Sequence, residues 1–422
     1  MTAPRQDGPA PVVVTGLGVM APNGRNVEDY WASTLAGKSG IDRITRFDPA
    51  GYPVQLAGEL RSFDAAEYVP SRLLMETSMM SHLALAAADM ALADAEVVPA
   101  QLPEYELGVV TANATGGVEF GQRELQNLWS KGPDHVGAYM SIAWFFAATT
   151  GQLSIRHRFR GHCGVVVAEQ SGGLDAIGQG RRVLRQDHRL VLVGGTESAM
   201  SPAGVVAQLP TGKLSPRTDP TRAYLPFDAD ANGYVPGEGG AILVLEDRDS
   251  ALARGAARQY GEIAGYAATF DPRPGSGRPP TLRKAAELAL ADAGVPAGEI
   301  DVVFADAYGI AELDRQEAEA ITAIFGPYGV PVTAPKTMTG RLYAGAGGLD
   351  VITALLAARD GVIPPTINVT ETAPGCELDL VRERPRPCEV RTALVLGRGH
   401  GGFNSAMVVR GAHQQAKEGG DN

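Results

Sequence analysis

Apolar and polar positions along this chain fall into two textures: short β-branched runs, and longer segments in which apolar residues recur every three or four positions. Val12-Val13-Val14-Thr15 reads as a buried strand ending at Gly16-Leu17-Gly18-Val19-Met20-Ala21. Asn26 is placed to cap a helix whose apolar face is Val27, Tyr30, Trp31 and Leu35, with Gly37 ending it. An Ala- and Met-rich amphipathic segment follows from Met75 to Val97, then a strand from Glu106 to Val110. Val165-Val166-Val167-Ala168 predicts a strand buried on both faces. Ser171-Gly172-Gly173 then turns the chain into a helix from Leu174, with Asp175 in its first turn.

Three landmarks recur in the same order. Ala91-Leu92-Ala93-Asp94-Ala95, the strand from Glu106 and Gly172-Gly173-Leu174-Asp175 are matched by Ala289-Leu290-Ala291-Asp292-Ala293, Glu299-Ile300-Asp301-Val302-Val303 and Gly347-Gly348-Leu349-Asp350. Such a repeat implies one unit copied twice. Alternating strands and helices then predict an α/β fold with mostly parallel sheets, its two similar halves packed about a pseudo-two-fold axis. The halves are expected at residues 1–255 and 256–412. The leader reads as disordered, as does the polar tail from Gly411, of which 413–422 belongs to neither half.

Composition narrows the function. At 422 residues the chain exceeds what one simple core fills. A net charge of −11 argues against nucleic acid as the main partner. No long apolar run and no hydrophobic signal core are present, so no membrane is expected and the cytoplasm is the expected compartment. Cys163, Cys376 and Cys388 show no metal or disulfide spacing. Pro22-Asn23-Gly24 blocks the helix that a dinucleotide motif at Gly16–Ala21 would need. Asp228-Ala229-Asp230-Ala231-Asn232-Gly233 opens like a calcium loop, but Gly239 stands at its twelfth position. Gly397-Arg398-Gly399-His400-Gly401-Gly402 precedes a strand rather than a helix, and is either a plain turn or the lining of a site.

The chemistry gathers at the strand, turn and helix around Gln170. That geometry lifts one residue out of a sheet to a helix N-terminus, where enzymes place a Ser or Cys nucleophile. A glutamine amide does not ionise and is a very poor nucleophile. A second candidate is a helix from Gly116 to Trp129, where Val118, Gly121 and Leu125 share one face that is either core or the wall of a cavity. Glycine inside a helix costs ~1 kcal/mol relative to Ala, which calls for some compensating need for space. Ala143-Trp144-Phe145-Phe146 is an aromatic run in a chain with 6% aromatics, and reads as an interface anchor or a core cluster.

Five segments together resemble the β-ketoacyl synthases: VVVTGLGVMAPNG, PFDADANGYVPGEGGAILVLE, the elbow, PKTMTGRLYAGAGG and GHGGFNSA. The resemblance implies the thiolase-like fold, a duplicated five-layered αβαβα arrangement. Active members use a Cys nucleophile and two His residues. Here Gln170 stands for the Cys, Tyr308 in Ala307-Tyr308-Gly309-Ile310 for one His, and Arg341 for the other, while Lys336 is kept. His400 lies in the Gly399, His400, Gly401, Gly402 loop, where the family often carries Phe, and is read as a solvated or gating residue.

The glutamine, with AWFFAATTGQLSIRHRFRG, is similar to the chain length factors, the ketosynthase β subunits of type II polyketide synthases. That resemblance implies a heterodimer with a Cys-bearing ketosynthase α subunit. It also implies malonyl units carried on the phosphopantetheine arm of an acyl carrier protein, no cofactor of its own, and a poly-β-keto chain entering an interface tunnel. Val118, Gly121 and Leu125 would limit its length, and a small Gly121 implies a longer product, roughly ten or more two-carbon units. Two alternatives remain open. Gln170, aided by Arg341, would decarboxylate malonyl carrier protein to supply a primer; or a relocated nucleophile, Cys163, would act, a residue otherwise read as a buried small hydrophobe.

Overall fold

The computed structural model describes residues 10–412, so residues 1–9 of the leader and the tail at 413–422 lie outside the described residues. The first strand, β1 (Val12–Met20), runs through the glycines instead of ending at Gly16. Helix α1 (Val27–Leu35) follows, with the Asn26 side chain accepting the Asp29 N–H. The long amphipathic segment is helical as α2 (Met79–Asp94), preceded by a separate short helix at Ser71–Glu76. Gly16 and Gly18 let α2 lie directly on β1: a Cβ at Gly16 would sit 2.1 Å from the Ala91 carbonyl oxygen, and one at Gly18 would sit 1.8 Å from that of Ala87. These glycines serve helix-on-strand packing.

Strands β2 (Leu107–Ala112), β3 (Cys163–Val166), β4 (Leu190–Glu197) and β5 (Gly239–Asp247) complete the first sheet, in the order β3-β2-β4-β5-β1. The second half contributes β6 (Gly261–Phe270), β7 (Val302–Phe304), β8 (Pro331–Thr333), a short outer strand β9 (Asp379–Leu380), β10 (Thr392–Arg398) and β11 (Phe403–Gly411). Its order, β8-β7-β10-β11-β6, copies that of the first. In each half the pairings near the centre are antiparallel and the outer ones parallel. Among the described residues the half-sheets pair where Val13 and Val14 of β1 meet Glu262 and Gly261 of β6.

Further helices are α3 (Val118–Lys131), α4 (Ala148–His157), α5 (Gly172–Leu184), α6 (Leu282–Ala293), α7 (Ala311–Phe325) and α8 (Ala346–Asp360). α5 and α8 pack against strands of both halves, α2 covers strands of the first half and α6 covers β6 and β11, giving five layers. Every residue of α8 from Ala346 to Ala357 is buried, as a helix enclosed on all sides requires.

The repeat is copied down to side-chain contacts. Asp94 accepts the N–H of Leu17 on β1, and Asp292 accepts the N–H of Tyr266 on β6, both at 2.9 Å. A Cβ on Gly265 would meet the Ala289 carbonyl at 2.2 Å, the counterpart of Gly16 against Ala91. At the centre Gly173 of α5 touches Gly347 of α8: a Cβ on Gly347 would fall 2.5 Å from the Leu174 nitrogen.

Several expectations need correction. The run at Val165–Ala168 is not covered on both faces: β3 ends the sheet, and Cys163, Val165 and Val167 are exposed. Apolar residues at a strand register the need for burial without saying which molecule supplies it. Cys163 is accordingly no buried hydrophobe. The second landmark strand starts at Val302, because Ala297–Glu299 forms a 3-10 turn, and α3 starts at Val118 with Gly117 as its cap. Gly411 is not tail: it pairs with Gly261 on β6.

Gly347→Ala is expected to force α5 and α8 apart, because the added carbon meets backbone rather than a side chain that could move. The loss should reach about 3 kcal/mol, at the upper end of overpacking costs. Gly298→Ala, where nothing lies within 4 Å, is the control. Thermal melts and soluble yield of the two variants would check this.

Candidate functional site

The elbow forms where β3 ends. Glu169–Ser171 makes one tight 3-10 turn and α5 begins at Gly172, with Ser171 Oγ donating to the Ala168 carbonyl at 2.8 Å. Glu169 has φ 50°, in the left-handed region that non-glycine residues avoid, so local strain sits beside the lifted residue. Gln170 is 2% exposed, and neither atom of its amide has a hydrogen-bond partner among the described residues. Burying an amide unpaired costs about 1–3 kcal/mol, a cost the fold carries here.

Tyr308 and Arg341 come together beside the elbow. The Arg341 guanidinium lies 3.9 Å from the Tyr308 ring centroid and 5.5 Å from that of Tyr234. Arg341 is 0% exposed. Its Nη1 is 3.2 Å from Asp306 Oδ2, its Nε 3.6 Å from Glu169 Oε1, and its Nη2 donates to the Arg398 carbonyl. Arg398 extends the network to Glu317 at 3.2 Å. Burial alone would raise Asp306, but Arg341, Arg398 and Lys336 around it hold its carboxyl below the usual range. Lys336 Nζ lies 3.0 Å from Asp350 and donates to the Ala305 carbonyl. Burial pushes the Tyr308 hydroxyl up, so it stays protonated at neutral pH.

The chemistry of this cluster is therefore static. The amide cannot attack, both terminal nitrogens of the guanidinium are committed, to Asp306 and to the Arg398 carbonyl, and the phenol is no base. Asp306, Glu317, Arg398 and Glu169 were not singled out from sequence. The available signal was an ionisable residue inside an apolar run, as in Val302-Val303-Phe304-Ala305-Asp306.

The glycine loop lies over the same region. Gly401 and Gly402 have φ 86° and 113°, which L side chains rarely adopt, so the turn needs glycine there. His400 is exposed, and its backbone N–H donates to Glu169 Oε2 at 2.9 Å. Gly399, Gly401 and Gly402 join Lys213, Tyr308 and Phe403 around a cleft of about 250 Å³, which neither Gln170 nor Arg341 lines.

A larger apolar groove of about 820 Å³ lies along α3. Val118, Gly121 and Leu125 share its wall with Trp129, and Met140 and Trp144 face them. A Cβ on Gly121 would stand 3.8 Å from Trp144 Cβ and 3.9 Å from Met140 Cε, in ordinary contact, so anything longer enters the groove. Trp144, Phe145 and Phe146 are 48%, 56% and 40% exposed. They belong to no core cluster of this chain.

Glu197, at the end of β4, holds the loop leading into α3. It is buried, accepts the Ala114 N–H and the Thr115 hydroxyl, and burial pushes its carboxyl up to about 7.

Known proteins resemble the whole chain. Family models match residues 10–251 as β-ketoacyl synthase, N-terminal domain, and 260–370 as its C-terminal domain. The tetracenomycin polyketide synthase ketoacyl synthase beta subunit of Streptomyces glaucescens is 60% identical over 95% of this chain and 98% of its own. The solved ishigamide ketosynthase/chain length factor has a TM-score of 0.88 at 30% identity, covering 96% of this chain and 100% of that one. A type II polyketide synthase acyl-carrier protein in complex with its ketosynthase bound to the hexaketide gives 0.85 at 26%, with coverage of 96% and 100%.

Two outcomes are expected at these residues. Gln170→Cys should gain no acyl adduct from acyl carrier protein in intact-mass spectra, because position 170 is sealed and has no base beside it. Glu197 has its pKa raised on folding, so the stability it contributes is complete below about 4.5 and is lost as pH rises through about 7. Glu197→Gln should remove that loss, gaining on the parent by on the order of 1–3 kcal/mol between those limits and by a constant amount above them. Denaturant melts at a series of pH values measure the difference.

Proposed function

The chain belongs to the β-ketoacyl synthase family, and from that premise we propose that it is a non-condensing chain length factor, the ketosynthase β subunit of a type II polyketide synthase. It pairs with a Cys-bearing ketosynthase α subunit that performs the condensations. Malonyl units arrive on the phosphopantetheine arm of an acyl carrier protein, and the growing poly-β-keto chain enters the groove along α3. The halves of the chain are 1–255 and 256–412, and the complex works in the cytoplasm. Among the described residues no helix is long and apolar enough to cross a membrane.

The observation that carries this reading is the contrast between the two cavities. The catalytic cluster is closed, with Gln170 buried and Arg341 ion-paired, whereas the apolar groove is open and bordered by the exposed Trp144. In addition, β3 ends the sheet among the described residues and carries exposed Val165. Monomeric proteins protect such edges, and both an open strand edge and an exposed aromatic patch fit a surface that a partner covers. The groove then lies where the two subunits meet.

Decarboxylation through Gln170 would require an accessible amide and an uncommitted Arg341, and the burial of one and the ion pairs of the other weigh against it. A nucleophilic Cys163 would stand on the exposed sheet edge, away from the elbow cluster.

Gly121 supports a long product, roughly ten or more two-carbon units, since a side chain there would shorten the cavity that bounds its ligand. Gly121→Phe in the reconstituted complex is expected to move the products toward shorter chains with turnover retained. Mass spectrometry of the released polyketides reads the shift, and unchanged lengths would remove the groove from the reading.

A further inference from the structure

Resting on the reading of the groove as the seat of the growing chain, we propose that Glu124 is a positioning residue that fixes the spacing of the groove's two walls, and with it the length at which extension stops. One wall is α3, a rigid helix of 14 residues. The other is the stretch carrying Met140 and Trp144, whose regular structure is a four-residue helix, Met140–Ala143. So short a helix does not hold its place by its own hydrogen bonds. It is fastened to the α3 side at both ends. At one, the Gly117 N–H donates to the Trp144 carbonyl at 3.0 Å. At the other, the Gly137 N–H donates to Glu124 Oε2 at 2.6 Å.

The second fastening has the marks of a placed contact. Glu124 lies one turn beyond Gly121 and next to Leu125, yet it is buried on a helix whose other carboxylate, Glu119, is not. A buried carboxylate is retained where its bonds are made, and a bond to a charged acceptor is roughly twice as strong as a neutral one. Arg123 Nε, 3.4 Å from Oε1, supplies the countercharge. The approach leaves no slack: a Cβ on Gly137 would stand 3.2 Å from Oε2. Around Gly121 the walls meet through apolar atoms of Met140 and Trp144, which set no fixed distance.

The experiment uses complexes of the α subunit with this chain carrying Glu124→Ala, Glu124→Asp or Glu124→Gln, supplied with malonyl-loaded carrier protein. Native mass spectrometry verifies pairing, and product lengths are read by mass spectrometry. Alanine removes the acceptor, and aspartate keeps the charge but falls one methylene short. Both should lower the ratio of parent-length to other-length products by about tenfold or more, the weight of one lost hydrogen bond to a charged acceptor. Glutamine keeps a neutral acceptor for Gly137 and should recover part of the parent pattern, falling between the parent and the alanine variant. A uniform fall in yield at unchanged lengths, or failure of both the alanine and aspartate variants to pair, would make Glu124 a plain structural anchor and overturn the proposal. Gly121→Phe run alongside separates the two levels. If it shortens the product while the Glu124 variants do not change it, the positioning role fails and the groove reading stands. If neither changes it, the groove reading falls and takes this proposal with it.

Discussion

Two helices approach here as closely as backbones can, at Gly173 and Gly347, and the rest of the molecule is arranged around that contact. Because α5 and α8 meet without intervening side chains, the two half-sheets can close over them. The strand orders of the halves then become copies about one axis. The elbow at Glu169–Ser171 inherits its place from the same contact, since α5 begins one residue before Gly173. A site built on the end of a central helix cannot drift, whatever chemistry it carries.

That rigidity explains why a chain without condensing machinery keeps the scaffold of one. On the resemblance to active ketosynthases, Gln170, Tyr308 and Arg341 stand where a thiol and two imidazoles are expected, so an amide, a phenol and a guanidinium fill the cluster. These residues are coherent in charge: Arg341 lies between Asp306 and Glu169 and under Tyr308, so its buried charge is balanced. Removing one partner from such a buried set typically costs 3–5 kcal/mol, which gives the network a structural reason to persist. The amide of Gln170 has no hydrogen-bond partner among the described residues, and Arg341 Nε beside it has only the 3.6 Å approach of Glu169.

Function moves to the surface that the isolated chain leaves unfinished. The groove along α3, the aromatic residues at 144–146 and the edge of β3 are exposed in this chain, and the proposed second subunit would cover them. Specificity in such a groove depends on wall spacing as much as on the side chains that project into it. A glycine that admits space and a carboxylate that tethers the opposite wall are complementary means of setting it.

Much of this was legible in the residues alone. The duplication could be read because each landmark has a local job: Asp94 and Asp292 bond neighbouring strands, and the glycine pairs admit close helices. The loss of catalytic chemistry could be read because nucleophilicity and basicity belong to residue types, and Gln170 has neither. Burial partners could not be read in the same way. A valine run looks alike at a sheet's centre and at its edge, so Val165 was assigned to the wrong environment. Asp306, Glu317 and Glu124 are ordinary acidic residues until folding brings Arg341, Arg398 and the Gly137 amide to them. Residue type and periodicity are local properties carried by the chain, whereas which groups meet, and which remain uncovered, depends on contacts between residues far apart in sequence and exists only once the chain has folded.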